Sequence, residues 1–139
     1  MITLAICDKM NSDSVAGLVK NTDLFWEEAP LQSNGKPASG VWIVTRGGDA
    51  SNSPKGLNLQ TTVDFYVAFN NKVKTEKTHQ AILEWMLANV SNEEIKGADY
   101  AFYNVRIRPT ATPQNDGVTE NGLIVKVASA QITYDLKEI

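Results

Sequence analysis

Residues 57–90 read "LNLQTTVDFYVAFNNKVKTEKTHQAILEWMLANV", and within them the hydrophobic period changes once. Leu57, Leu59, Val63, Phe65, Val67 and Phe69 fall on odd positions, with Asn58, Gln60 and Asp64 between them. A period of two puts alternate side chains on one side of a pleated ribbon, so this half reads as a strand with one buried face. "NNKVK" then turns the chain, and Thr75 is placed to cap the next element. Ile82, Trp85, Met86 and Val90 recur at helical spacing, so 76–90 reads as an amphipathic helix.

Upstream, Ile2, Ala5, Ile6 and Met10 form one apolar stripe and Val15, Leu18 and Val19 continue it past "NSDS", where Ser12 or Asp13 can cap. That is one kinked helix or two short ones. "DLFWEEAP" reads as a short extended piece ending at Pro30, and "VWIVTR" as a strand rich in β-branched and aromatic residues. Downstream, Gly97 stops the lead-out "NEEIKGAD", and "YAFYNVRI" and "LIVKVASAQITYDL" read as two strands. In the last one the apolar positions switch from odd (Leu123, Val125, Val127) to even (Ile132, Tyr134, Leu136), which a bulge near Ser129 would produce. The order helix, β, β, β, helix, β, β predicts an α+β fold: a two-layer sandwich with a mixed or antiparallel β-sheet and helices packed on one face. One domain is expected over 1–139.

Composition narrows the function classes. Of 139 residues, 42% are hydrophobic and 21% charged, an ordinary globular mix. The net charge of −3 lacks the basic excess of a dedicated nucleic-acid binder. Cys7 is the single cysteine, so no internal disulfide can form, in keeping with a cytoplasmic setting. The N-terminus does not read as a signal peptide, since Asp8 and Lys9 break its apolar residues. No run approaches the roughly 20 apolar residues of a membrane span. With no secretion expected, the sequon Asn89-Val90-Ser91 reads as a chance match.

Chemistry is sparse. His79 is the lone histidine, so it cannot head a zinc cluster, and it reads as a histidine at the boundary of the core. Cys7 reads as a packed thiol. "RGGDASNSPKG" lacks the spacing of a phosphate-binding loop, and Gly47 and Gly48 read as turn residues. The adjacent carboxylates Glu27/Glu28 and Glu93/Glu94 point apart in an extended chain and make no acid–base dyad. Tyr100, Phe102, Arg106 and Arg108 share parity on one strand. Such a row can hold single-stranded nucleic acid, but the aromatics read better as partly buried and the arginines as paired across strands or subunits. These readings predict no enzyme, no cofactor and no metal.

Three long polar links, 30–40, 46–56 and 108–122, stand out in so small a chain. With no catalytic residues on them, partner contact is their expected role. Pro109 and Pro113 stiffen the longest, and Asp116-Gly117 and Asn121-Gly122 are turn formers, so its tip can be a hairpin extension and the whole an arm for a neighbouring subunit. The interface candidates are Arg46, Asp49 and Lys55 on the second link, Gln114, Asn115, Asp116 and Glu120 on the arm, and Arg106 and Arg108 at its root.

Taken whole, the chain resembles the tail terminator proteins of long-tailed bacteriophages. The features that carry the resemblance are an N-terminal helix followed by "DLFWEEAP", then "VWIVTRGG", the strand "QTTVDFYVAF" leading into "KTEKTHQAILEWMLANV", and a final hairpin ending in "ASAQITYDL". The links 46–56 and 108–122 depart from the pattern. The resemblance implies a ring of six copies on the head-proximal end of a tail tube in a virion. That ring stops tube polymerisation and joins the head connector, while DNA passes the lumen without sequence-specific binding. Other neck or head–tail connector proteins are the nearest alternative. A small-molecule-binding α+β domain, with Trp42, Tyr66 and Tyr103 lining its pocket, comes next, and an enzyme last.

Overall fold

The computed structural model describes residues 2–27, 38–49, 59–88, 93–96, 100–110, 114–118 and 122–138. In chain order the elements are α1 (Ile2–Ser12), a 3-10 turn (Val15–Gly17), β1 (Leu24–Trp26), β2 (Gly40–Asp49), β3 (Leu59–Phe69), α2 (Lys72–Ala88), β4 (Glu93–Lys96), β5 (Tyr100–Pro109), β6 (Gln114–Val118) and β7 (Ile124–Glu138). The strands form one sheet in the order β1-β2-β3-β7-β5-β4, with β6 also paired to β7. β1 runs parallel to β2 and the other pairs are antiparallel. This is the expected α+β architecture with a mixed sheet.

Alternation in β3 works as its sequence predicts. Val63, Phe65 and Val67 are fully buried and pack with Ile43 of β2 and Ala128, Ala130 and Ile132 of β7. Ile2, Ile6 and Met10 of α1 and Ile82 and Met86 of α2 complete the same cluster, so both helices cover one face. The close approach of β1 to β2 depends on Gly40. Its φ is +147°, and a Cβ there would lie 2.5 Å from the Asp23 carbonyl oxygen, which accepts from the Val41 N–H at 2.8 Å.

Several expectations change. The α2 helix begins at Lys72 rather than after Thr75, because Asn71 caps it: the Lys74 N–H donates to Asn71 Oδ1 at 3.1 Å. Thr75 is buried instead, its hydroxyl 3.1 Å from the Asn71 carbonyl and 3.2 Å from that of Ile124. The helical stripe does not continue beyond α1, since Ser14 and Ala16 take φ of 52° and break it, although Val15 and Leu18 are still buried. The lead-out "NEEIKGAD" contains β4. The second link starts later than its composition predicts, because β2 continues to Asp49. Gly47, Gly48 and Asp49 pair with Thr62, Thr61 and Gln60, so ladder bonding to β3 outweighs the turn preference of the two glycines.

No bulge occurs near Ser129 in the β3–β7 pairing, whose register is continuous from Ile124↔Phe69 to Tyr134↔Leu59. The parity switch has another cause: the two ends of β7 bury opposite faces. Ala128, Ala130 and Ile132 join the helix-covered core, whereas Leu123, Val125 and Val127 form a second cluster with Ala68, Trp42 and Tyr66 on the other face. The long link 108–122 also shortens. Residues 114–118 are β6, which pairs with β7 at Gln114↔Val127 and Val118↔Ile124 and forms a hairpin with it.

Phe65 sits at the centre of this packing. Phe65→Ala is expected to cost about 3–5 kcal/mol in urea unfolding, from lost burial plus a cavity; a loss under about 1 kcal/mol would mean β3 is not the middle of the core.

Candidate functional site

The candidate site is the sheet face opposite α1 and α2. Two bulges decide what it displays. In β2, Thr45 pairs with Val63 and Gly47 with Thr62, leaving Arg46 as an extra residue. Thr45 therefore points to the helical side, 3.1 Å from Thr3 of α1, while Arg46 turns outward. In β5, Tyr103 pairs with Asp135 and Arg106 with Thr133, so one extra residue lies between them. Asn104 takes φ of 53° there, a conformation asparagine tolerates, and its Nδ2 donates to Asp135 at 2.7 Å. The extra residue reverses the parity. Phe102 is buried against the helices, and Arg106 and Arg108 stand exposed on the helix-free face. Shared parity in the sequence puts Phe102 and the arginines on one side; an interior Asn in a β-rich run is the available signal for the reversal.

Across this face runs a polar row. Asp64 of β3 is 4% exposed, and it accepts from Ser129 Oγ at 2.6 Å and from the Arg46 guanidinium at 3.2 Å. Burying polar oxygens this deeply is costly unless hydrogen bonds replace their water, and these two partners supply them. Gln131 Nε2 donates to Gln60 at 3.0 Å beside it. Arg108 lies at the register of Gln131 and Arg106 at that of Thr133, so both flank the row. Neither arginine has a carboxylate partner among the described residues. The carboxylates beside them, Asp64 and Asp135, are held by Arg46 and Asn104. At one end of the face Trp42 and Tyr66 stack at 5.7 Å with ring planes 9° apart.

The structure thus brings Arg46, Arg106 and Arg108 onto one surface. Asp49 ends β2, and Gln114, Asn115 and Asp116 belong to β6, so these four stand in strands rather than loops. Lys55 and Glu120 lie outside the described residues. Trp42, Tyr66 and Tyr103 do not converge on a pocket. Tyr66 pairs with Val127 and Tyr103 with Asp135, roughly 27 Å apart along β7 at strand rise.

Cys7 is fully buried and its thiol is pushed up to about 11, mainly by burial. His79 is buried too, not at a boundary. Its Nε2 has no hydrogen-bond partner, and its pKa is lowered by burial and by Lys126, against the raising effects of a hydrogen bond with the Val127 backbone and of Glu76. Glu27 accepts from the Thr45 hydroxyl at 2.7 Å, while Glu28 lies outside the described residues. Among the described residues, no group of three or more His, Cys, Asp or Glu is placed to hold a metal ion, and no helix is long and apolar enough to cross a membrane.

No protein-family model matches the sequence, and no curated protein matches it. Among solved structures, a chain from the virion of a native gene transfer agent (GTA) particle is similar, with 7% identity, a TM-score of 0.47, and coverage of 82% of this chain and 79% of that chain. A likeness of this degree carries no inference about what the chain does.

Because the folded pKa of His79 is lowered, the unfolded chain takes up the proton first. Stability is therefore full above the ordinary value of 6.5 and falls as pH drops through it. Urea unfolding at pH 7.5 and 5.5 is expected to show the loss, and His79→Leu to flatten that slope. An unchanged slope in the variant would remove His79 as its source.

Proposed function

We propose that this chain is a structural assembly protein of a phage-like particle, and within that class a tail terminator. It forms a ring on the head-proximal end of the tail tube, stops tube growth and offers the surface that meets the head connector. It works by surface complementarity without making or breaking covalent bonds. The observation that carries this is the helix-free face, where Arg106 and Arg108 stand exposed beside carboxylates already held by other side chains. Arginine with tryptophan and tyrosine is the composition enriched in protein interfaces. Two forked guanidiniums at alternate strand positions suit carboxylates supplied by another subunit.

The same geometry bears on how copies would join. The outer side of β1 is occupied at Leu24, which bridges Lys20 and whose N–H donates to the Val19 carbonyl at 3.2 Å. β4 has only four residues. Strand pairing between copies through β1 or β4 is thereby disfavoured. Contact through the faces needs no strand edge, and a face meeting a different surface of the next copy generates a ring when the rotation between copies closes.

Mass measurement of the purified chain, alone and with the tail tube protein of the same particle, tests this function. Six copies bound at tube ends are expected. Arg106→Glu with Arg108→Glu should weaken that assembly by at least about tenfold with the melting temperature little changed, since both side chains are exposed. Binding to a portal or connector but not to the tube would instead favour another neck component. A chain that stays solitary with either partner, or turns over a substrate, contradicts the proposal.

A further inference from the structure

The helical layer carries a second surface of different character. Between the 3-10 turn and the first half of α2 lies a shallow groove whose lining includes Ala16, Val73, Lys77, Thr78 and Ala81. Ala16, Thr78 and Ala81 are small, and Val73 is 59% exposed. Ala16 reaches the groove with φ of 52°, a conformation that residues with a Cβ seldom adopt. Lys74 and Lys77, both exposed, line it as well. Lys74 lies 4.5 Å over the Phe69 ring, and neither lysine has a carboxylate partner among the described residues. Glu76 between them is held by Lys126 at 2.5 Å.

Helix stability does not account for these lysines. The first turn of α2 holds no acidic residue, so cations crowd the positive end of its dipole in a chain whose net charge is −3. We propose that this groove docks an acidic, apolar segment of a partner polypeptide. Apolar side chains of the segment would lie against Val73, Ala81 and Ala16, with its carboxylates on Lys74 and Lys77. A polyphosphate would gain nothing from the valine and the alanines, which favours a peptide. The groove lies on the opposite layer from Arg106 and Arg108, and the proposal does not depend on the assembly role.

The test is fluorescence anisotropy of the full chain with a labelled peptide of Glu and Leu at helical spacing. Controls are its Lys–Leu counterpart, an oligoglutamate of equal length and a single-stranded oligodeoxynucleotide. The Glu–Leu peptide should bind saturably, and the three controls at least about tenfold more weakly. Lys74→Glu with Lys77→Glu, and separately Val73→Asp, should each weaken binding by about tenfold or more. The double variant should remain folded, with a melting temperature within about 5 °C of the parent's, since both side chains are exposed. Lys77→Gln, which only removes a charge, should weaken binding to a smaller extent. No saturable binding, binding unchanged in these variants, or equal binding of oligoglutamate or the oligonucleotide would overturn the proposal.

Discussion

The structure depends on the uninterrupted pairing of β3 with β7. Its register runs through every residue from Leu59↔Tyr134 to Phe69↔Ile124. Because strand side chains alternate, such a register assigns every residue in the middle of the sheet to one face or the other. A slip of one residue would expose Val63, Phe65, Val67 and Phe69 and turn Asp64 toward the helices. At roughly 1.5–3 kcal/mol per large apolar side chain, the four together are worth about 6–12 kcal/mol. That equals the whole stability of an ordinary domain, about 5–15 kcal/mol, so the slipped state is not accessible.

The irregularities needed to build a surface are pushed into the strands on either side of this pair. β2 takes one at Arg46 and β5 one at Asn104. Each re-aims the side chains beyond it without disturbing the centre, which is how bulges are commonly used. One face is thereby committed to α1 and α2. The other is left with a buried carboxylate, a row of amides and hydroxyls, and outward arginines. A molecule with two unlike faces is suited to heterologous contact, in which one copy meets a different surface of the next.

How much of this is legible in the sequence depends on whether one face or two decides a residue's place. Where one face is buried throughout, as in β3 and α2, period alone locates the strand, the helix and most of the core. Where a strand buries opposite faces at its two ends, as β7 does, the same pattern imitates a bulge. The true bulges have no hydrophobic signature. Arg46 and Asn104 are polar, and their effect shows only once partner strands set the register. Gly47 and Gly48 read as a turn because local preference is visible in the sequence and the ladder with Thr61 and Thr62 is not. Of the candidate residues, Arg46, Arg106 and Arg108 come together on one surface. The role of Asn71 as the cap results from a helix starting one turn earlier than its apolar stripe, and His79 is buried because it lies on the same face as Ile82 and Met86.

Native-state hydrogen exchange tests the central claim most directly. If the β3–β7 pair is the constraint on which the remainder rests, the amides of 63–68 and 125–132 that bond across it should exchange slowest, only through global unfolding. Those of β1 and β4 should exchange sooner, through local opening. Fast exchange within β3 and β7, with slower exchange in the flanking strands, would contradict the account.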